Sequence, residues 1–259
     1  MHHGLEPCRL ITCVGVQRSL TLCAMPLSDH LATPRPEAVQ EAVTEVRARI
    51  AAACARGGHG QQVTLIAVTK THGPEAVEAA WNAGVTDVGE NRVQEAEAKM
   101  AQVTVPVKWH LIGHLQRNKA RSARQFALIH GLDSERLALA LHTEAVKEGV
   151  TLDVLMQVNV SGEASKSGVP TAGVAAFADY LQTLPALRVR GVMTMAPFDA
   201  DERTLRSVFS GARGARELVR SAGHAAEWLS MGMSGDYEVA VEEGATHVRL
   251  GTVLFGSRT

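Results

Sequence analysis

Eight short apolar runs, separated by helix-like stretches, constrain the fold of this 259-residue chain more than any other feature. The runs are rich in β-branched residues, as expected of strands buried on both faces. Strands that alternate with helices predict a parallel α/β architecture, and eight is the number that closes a barrel. The predicted strands cover 63–70, 86–90, 107–113, 127–133, 153–160, 189–195, 227–232 and 247–251.

One further helix is predicted before the first strand, over residues 36–56. It begins at Pro36, which favours a helix start, and glycines follow its end. The sequence therefore predicts a single-domain (β/α)8 TIM barrel with an extra N-terminal helix, over residues 25–259. An open doubly wound sheet is the alternative, but no G-x-G-x-x-G turn follows the first strand.

Residues 1–24 fit this pattern poorly. The segment is mildly apolar, but Gln17 and Arg18 interrupt any signal-peptide core and no clean cleavage site follows. Met25 begins a segment that has the character of a natural start. We expect residues 1–24 to be a disordered or artefactual extension without a functional role.

Composition narrows the classes of function. A formal net charge of −1 gives no basic field, so nucleic-acid binding is not expected. No apolar run reaches the roughly 20 residues that a membrane span needs. The four cysteines match no zinc spacing, and a chain of this size needs no disulfides, so we expect a reducing cytoplasm. They are Cys8, Cys13, Cys23 and Cys54.

Polar residues at the carboxyl ends of the predicted strands are the candidates for function, because active groups in this fold lie there. These residues include Lys70, Glu90, Asn91, His110, His114, Asp133, Ser134, Asn159, Ser230, Ser234, Arg249 and Thr252. The pair in "HLIGH" (110–114) could suggest a metal, but no third ligand accompanies it. We therefore expect no metal, and hydrogen-bonding histidines instead.

The loops after strands seven and eight are the usual phosphate site of this fold. Ser234 is predicted to cap the following helix, whose N-terminus offers free N–H groups and a positive dipole. Gly251 would allow the backbone to approach a ligand closely, and Thr252 adds a hydroxyl. The alternative is a capped helix and a tight turn without a ligand.

Lys70 ends the first apolar run, where a lysine is usually a solvated charge. Inside a barrel mouth, partial desolvation and the neighbouring Arg249 would both lower its pKa and expose a neutral amine. A neutral amine opposite a phosphate site suits an aldehyde cofactor that carries a phosphate. Pyridoxal 5′-phosphate (PLP) has this chemistry.

Several blocks of the chain resemble the pyridoxal phosphate homeostasis proteins, which are single-domain relatives of the alanine racemase N-terminal barrel. The resemblance runs from about residue 36 to the C-terminus in the expected order. The blocks are "LIAVTKTH", "GENRVQEAEAK", "WHLIGHLQRNKAR", "VNVSGEASKSGV", "GVMTMAP" and "LSMGMSGDYEVAVEEGATHVRLGTVLFGSR".

The resemblance implies a set of cofactor-binding residues. It implies a PLP Schiff base on Lys70, phosphate contacts from Ser234 and Gly251-Thr252, and Arg249 facing the pyridine nitrogen. Four further residues fall in blocks that line the cofactor pocket: Asn91, His110, Asn159 and Met231. Lys166, in a loop after strand five, is a candidate secondary contact. Arg92 departs from the family, which usually has an aromatic residue there, and puts the packing beside Asn91 in question.

The resemblance also implies a carrier of PLP rather than an enzyme. A racemase of this kind takes its second base, a tyrosine, from an additional β-domain, and this chain ends just after strand eight. We expect Tyr180 and Tyr237 to be packing residues and assign no catalytic residue. The expected function is intracellular PLP homeostasis by a cytoplasmic monomer, with PLP-dependent apo-enzymes as recipients.

Two alternatives remain open. One is a PLP-dependent enzyme of low activity, an amino-acid racemase or decarboxylase, which would remove the α-proton or carboxylate of a substrate. The other is a regulatory module whose loaded state is read by a protein partner. The basic stretch 115–125 could serve as a docking face in that case, although a solvated helix is the simpler interpretation.

Overall fold

The computed structural model describes residue 1 and residues 35–163 and 166–256. The predicted extension (1–24), apart from Met1, and the predicted start at Met25 lie outside the described residues. The described strands are β1 (Thr64–Val68), β2 (Asp87–Glu90), β3 (Lys108–Leu111), β4 (Leu128–Leu132), β5 (Leu152–Asn159), β6 (Val169–Pro170), β7 (Leu187–Met193), β8 (Trp228–Ser230) and β9 (His247–Leu250).

The described α-helices alternate with these strands. They are α1 (Pro36–Gly57), α2 (Pro74–Asn82), α3 (Val93–Met100), α4 (Glu135–Glu148), α5 (Val174–Gln182), α6 (Glu202–Ser221), α7 (Tyr237–Glu242) and α8 (Thr252–Phe255). Two 3₁₀ helices, Arg117–Gln125 and Thr171–Gly173, complete the described elements. No helix within 35–163 and 166–256 is long and apolar enough to cross a membrane.

Eight parallel strands close into a barrel, which confirms the predicted fold. Going around the barrel, the order is β1, β2, β3, β4, β5, β7, β8 and β9, and β9 pairs with β1. The ring closes through β4 and β5, which pair as Ile129 with Val154 and Leu132 with Met156. The two-residue β6 pairs with the end of β5 outside this ring, and the sequence did not predict it.

Helix α1 confirms the predicted helix before the barrel. Its apolar residues recur every three or four positions and are buried, so that one face packs against the barrel helices. The helix ends at Gly57, and Gly58 has φ 67°, a left-handed conformation that glycine adopts without steric cost.

Candidate functional site

A cavity of about 890 Å³ lies at the carboxyl ends of the barrel strands. This is the end at which barrels of this kind bind their ligands. Six of the nine predicted site residues line this cavity: Lys70, Asn91, Ser234, Arg249, Gly251 and Thr252. Lys70 is half-buried and follows β1 by two residues.

Ser234 contributes to this cavity differently from its predicted role. Helix α7 begins at Tyr237, and Asp236 precedes it, so Ser234 is not its cap and that prediction was wrong. The Asp236 carboxylate instead accepts a hydrogen bond from the N–H of Met233 at 2.5 Å.

The Ser234 hydroxyl accepts hydrogen bonds from the backbone N–H groups of Gly251 (3.4 Å) and Val253 (3.3 Å). Both are longer than the usual 2.9–3.0 Å of an N–H···O bond. One hydroxyl and two amides thus meet at a single point on the cavity wall, at the beginning of α8. A stronger acceptor, such as a phosphate oxygen, can accept hydrogen bonds from these two amides in place of the hydroxyl.

Arg249, on β9, is a cation built into the cavity wall, and only 5% of it is exposed. Its guanidinium donates to the Ser230 hydroxyl at 2.6 Å and to the Thr194 carbonyl at 3.0 Å. Burial lowers the pKa of Arg249 to about 10, although Asp236 acts against this shift. Arg249 therefore remains protonated at neutral pH.

Ser230 connects Arg249 to a file of hydrogen bonds inside the barrel, which we name the histidine file: Arg249, Ser230, His130, His110 and Asp87. The Ser230 hydroxyl lies 2.9 Å from Nδ1 of His130. Nε2 of His130 lies 3.1 Å from Nδ1 of His110, and Nε2 of His110 lies 2.9 Å from the Asp87 carboxylate.

Only one arrangement of protons satisfies the whole histidine file when both histidines are neutral. Arg249 donates to Ser230, Ser230 to His130, His130 to His110, and His110 to Asp87. His130 is fully buried, and its burial, with the neighbouring basic groups of His110, Arg249 and His247, holds its pKa well below the usual value. All hydrogen bonds of the histidine file are therefore donated in one direction, from the Arg249 cation towards the Asp87 carboxylate.

Three predicted site residues do not line the cavity among the described residues. His110 belongs to the histidine file, and Met231 is completely buried in the core. The Asn159 amide donates to the carbonyls of Glu163 and Lys166, at 2.8 and 3.2 Å, and so holds the loop that follows β5. Lys166, on that loop, does line the cavity, with Nζ 3.1 Å from the Glu163 carboxylate.

Metal ligands were searched among the described residues. No group of three or more histidine, cysteine, aspartate or glutamate side chains there is arranged to hold a metal ion. The histidines of "HLIGH" diverge, because His110 joins the histidine file while His114 lies 3.4 Å from the Asp133 carboxylate.

Comparison with known proteins places this barrel in a family. The family described as "Alanine racemase, N-terminal domain" matches residues 43–259. The pyridoxal phosphate homeostasis protein of Aquifex aeolicus is 41% identical over 222 residues, which cover 84% of this chain and 97% of that protein. The protein of the same name from Pseudomonas aeruginosa is 42% identical over 223 residues, covering 85% and 96%.

The chain belongs to the family of pyridoxal phosphate homeostasis proteins. A solved structure similar to this chain is that of PipY of Synechococcus elongatus with PLP bound, which has a TM-score of 0.75 and 36% identity. The match covers 84% of this chain and all of that one.

Within this family pattern, the structure also locates Arg92. Arg92 is exposed and immediately precedes α3, so it does not pack beside Asn91 in the core. Its charge is among the influences that lower the pKa of Glu95, together with hydrogen bonds from Thr71 and Lys99, against the opposing effect of burial.

Sequence reasoning missed Asp87 and His130 as members of the site. A signal was present, since both are polar residues within runs that are otherwise buried. That signal indicates an interior polar group but does not reveal its partners, which come from different strands.

Proposed function

We propose that this protein binds PLP covalently through Lys70 and acts as a carrier in PLP homeostasis, without catalytic turnover. The observation that carries the proposal is the shared cavity. One 890 Å³ space is lined by the amine of Lys70, the cation of Arg249 and the donors around Ser234 and Gly251.

Each part of PLP has a suitable group in this cavity. The cofactor supplies an aldehyde that condenses reversibly with a primary amine, and Lys70 offers that amine. The amides of Gly251 and Val253 and the hydroxyl of Ser234 suit a phosphate, and Thr252 adds a second hydroxyl.

The chemistry of Arg249 favours holding the cofactor over converting a substrate. A guanidinium only donates hydrogen bonds, so a ring nitrogen that faces it must accept one and stays unprotonated. An unprotonated ring is a weaker electron sink for carbanion chemistry. Neither tyrosine lines the cavity: Tyr237 is 2% exposed in the core, and Tyr180 stacks on Phe177.

The known proteins support the same function. Relatives about 40% identical are named pyridoxal phosphate homeostasis proteins, and the PipY structure contains PLP. These names describe cofactor homeostasis, which agrees with a carrier.

The test is a titration of the purified protein with PLP, followed by borohydride reduction and peptide mapping. We expect an absorption band near roughly 420 nm, typical of PLP joined to an amine, and reduction that fixes the cofactor on Lys70. Lys70→Ala should lose most of the band and keep only the minor share of cofactor that Lys166 takes. Lys166→Ala is the matched control, because it removes the other lysine of the cavity and should keep both the band and the attachment to Lys70. A Lys70→Ala protein that colours like the wild type would refute the proposal.

A second candidate is a PLP-dependent enzyme of low activity, and Asp236 is the observation that favours it. Asp236 lines the cavity, and burial raises its pKa, so it holds a proton at higher pH than an ordinary aspartate. An enzyme would exchange the α-proton of an amino acid in heavy water or release its carboxylate. We expect neither by NMR, and exchange that Asp236→Asn abolishes would establish the enzyme instead.

We also infer a cytoplasmic monomer that gives PLP to apo-enzymes. A recipient apo-enzyme mixed with the loaded protein should regain activity faster than the spontaneous release of PLP allows. Light scattering at several concentrations should give the mass of one chain. A dimer mass at every concentration would refute the monomer without affecting the cofactor site.

A further inference from the structure

A buried cluster of charges holds the segment that carries Lys70. We name it the clamp cluster: Glu90 at the end of β2, and Glu95 and Lys99 one turn apart on α3. Glu90 is fully buried and Lys99 is 5% exposed. The Lys99 ammonium donates to the Thr69 carbonyl (2.6 Å), to Glu90 (2.6 Å) and to Glu95 (3.0 Å). These three bonds use all three of its donors.

The residue before Lys70 is fixed by the clamp cluster and β2. Thr69 is completely buried, and its carbonyl accepts from Lys99. Its hydroxyl donates to Glu90 at 2.6 Å, and its N–H donates to the Gly89 carbonyl at 3.1 Å. Every polar group of Thr69 therefore has a partner, and its position follows that of the cluster.

The residue after Lys70 is held in an uncommon conformation. Thr71 has φ 69°, in the left-handed region that a β-branched residue rarely adopts. Its N–H donates to the Glu95 carboxylate at 2.5 Å. Such a conformation persists only where the surroundings impose it, and such residues are concentrated at functional sites.

The cluster is an inefficient way to gain stability alone, since apolar packing of the same volume often stabilises as much as a buried ion pair. Its contacts instead converge on the two neighbours of one cavity residue. The backbone of residues 69–71 sets the direction in which the Lys70 side chain leaves β1, and small errors in such directions cost much reactivity.

We propose that Glu90, Glu95 and Lys99 are positioning residues that aim Lys70 at the cofactor in the cavity. This inference rests on the proposed function, because it assigns the cluster to the amine that takes PLP. It predicts that loosening the clamp slows the capture of PLP by Lys70 while the other lysine of the cavity, Lys166, reacts as before.

The test compares variants at Glu95, whose side chain is the most exposed of the three and the easiest to change without unfolding. Glu95→Ala removes the acceptor for Thr71, and Glu95→Asp keeps the charge but shortens its reach. Glu95→Gln retains an acceptor oxygen and should therefore capture PLP at the wild-type rate. The matched control is Glu97→Ala on the same helix, where the carboxylate accepts hydrogen bonds from Ser122 and, at 2.9 Å, from Gln125.

The measured quantities are the rate of appearance of the PLP absorption band and the ratio of PLP fixed on Lys70 to PLP fixed on Lys166. Glu95→Ala and Glu95→Asp should slow capture about tenfold and lower the ratio. Glu95→Gln and Glu97→Ala should match the wild type. If Glu95→Ala does not fold, the comparison of Glu95→Asp with Glu95→Gln decides.

The outcomes separate the two proposals. A wild-type protein in which Lys70 takes no PLP overturns the proposed function and the clamp together. A wild-type protein that loads on Lys70, with Glu95→Ala and Glu95→Asp indistinguishable from Glu97→Ala, overturns the clamp alone.

Discussion

Two polar networks lie behind the cavity, and they hold its two principal side chains in different ways. The histidine file lies inside the barrel and binds the Arg249 guanidinium directly through Ser230. The clamp cluster lies between the barrel wall and α3, and it binds Thr69 and Thr71 on either side of Lys70. The first fixes a charged group itself, whereas the second fixes the backbone from which a reactive group extends.

The networks also differ in the chemistry that maintains them. The histidine file needs neutral histidines, because a proton added to His130 would oppose the direction of its hydrogen bonds. The clamp cluster needs the Lys99 ammonium, which pairs with the buried Glu90 carboxylate at 2.6 Å, and an acceptor oxygen at residue 95 for Thr71 and Lys99. Acid should therefore weaken the first network, and loss of Lys99 should weaken the second.

Breaking the clamp cluster at its centre should give the largest effect. Lys99→Met leaves Glu90 buried without its cation and should lower the free energy of unfolding by about 3–5 kcal/mol, measured by urea denaturation. Lys147→Met is the control, because the Lys147 side chain is 62% exposed where it pairs with Glu144, and it should cost under about 0.5 kcal/mol. Equal losses of unfolding free energy in the two variants would show that the clamp cluster contributes no more than an exposed ion pair.

Acid should give the second-largest effect, by lowering the stability of the folded protein through the buried histidines. Burial lowers the pKa of His247, beside the file, to about 3. Between pH 6.5 and 3 the unfolded chain binds a proton at this residue and the folded chain does not. Stability is therefore complete above pH 6.5 and falls with pH below it, by up to about 1.4 kcal/mol per pH unit for one histidine.

Urea denaturation at pH 7, 6 and 5 measures this slope. His247→Gln removes the titrating group, so the slope of the free energy of unfolding should be reduced by up to about 1.4 kcal/mol per pH unit. A variant with the slope of the wild type would show that His247 does not contribute to acid sensitivity.

Removing the link between Arg249 and the histidine file should give a smaller loss. Ser230→Ala leaves an Arg249 donor and His130 Nδ1 without their partner and should cost about 1.5 kcal/mol. PLP affinity should fall as well, because Arg249 is then less fixed. Ser210→Ala, which removes an exposed hydroxyl bonded to Ser207, should change neither quantity.

The smallest effect is expected at Arg92, the departure from the family pattern. Arg92→Tyr removes a cation that helps to lower the pKa of Glu95, so an NMR titration of Glu95 should show a higher pKa. Stability should change by less than about 0.5 kcal/mol, as for other surface substitutions. A loss above about 1 kcal/mol would mean that Arg92 contributes to the clamp cluster more directly.

The barrel and the cavity residues were predictable because they depend on local patterns. Apolar runs predicted the eight strands, and their ends predicted that Lys70, Arg249 and Ser234 would meet at one end of the barrel. The capping role of Ser234 was predicted wrongly, because its hydroxyl accepts from the N–H groups of Gly251 and Val253, 17 and 19 residues away, rather than from those of the next helix.

The two networks were not predictable, because they depend on which side chains face each other across the barrel. His130 and Ser230 are 100 residues apart in sequence, and Lys99 reaches Thr69 across 30 residues. Their contacts follow from the strand register and from the placement of α3, which no local pattern specifies.

The most direct test of the central claim is a crystal structure of the protein loaded with PLP. The account predicts electron density continuous from Lys70 Nζ to the cofactor, and phosphate oxygens about 3 Å from the Gly251 and Val253 amides. It also predicts the Arg249 guanidinium facing the ring nitrogen. Cofactor attached to Lys166 or to a surface amine, with none joined to Lys70, would contradict the account.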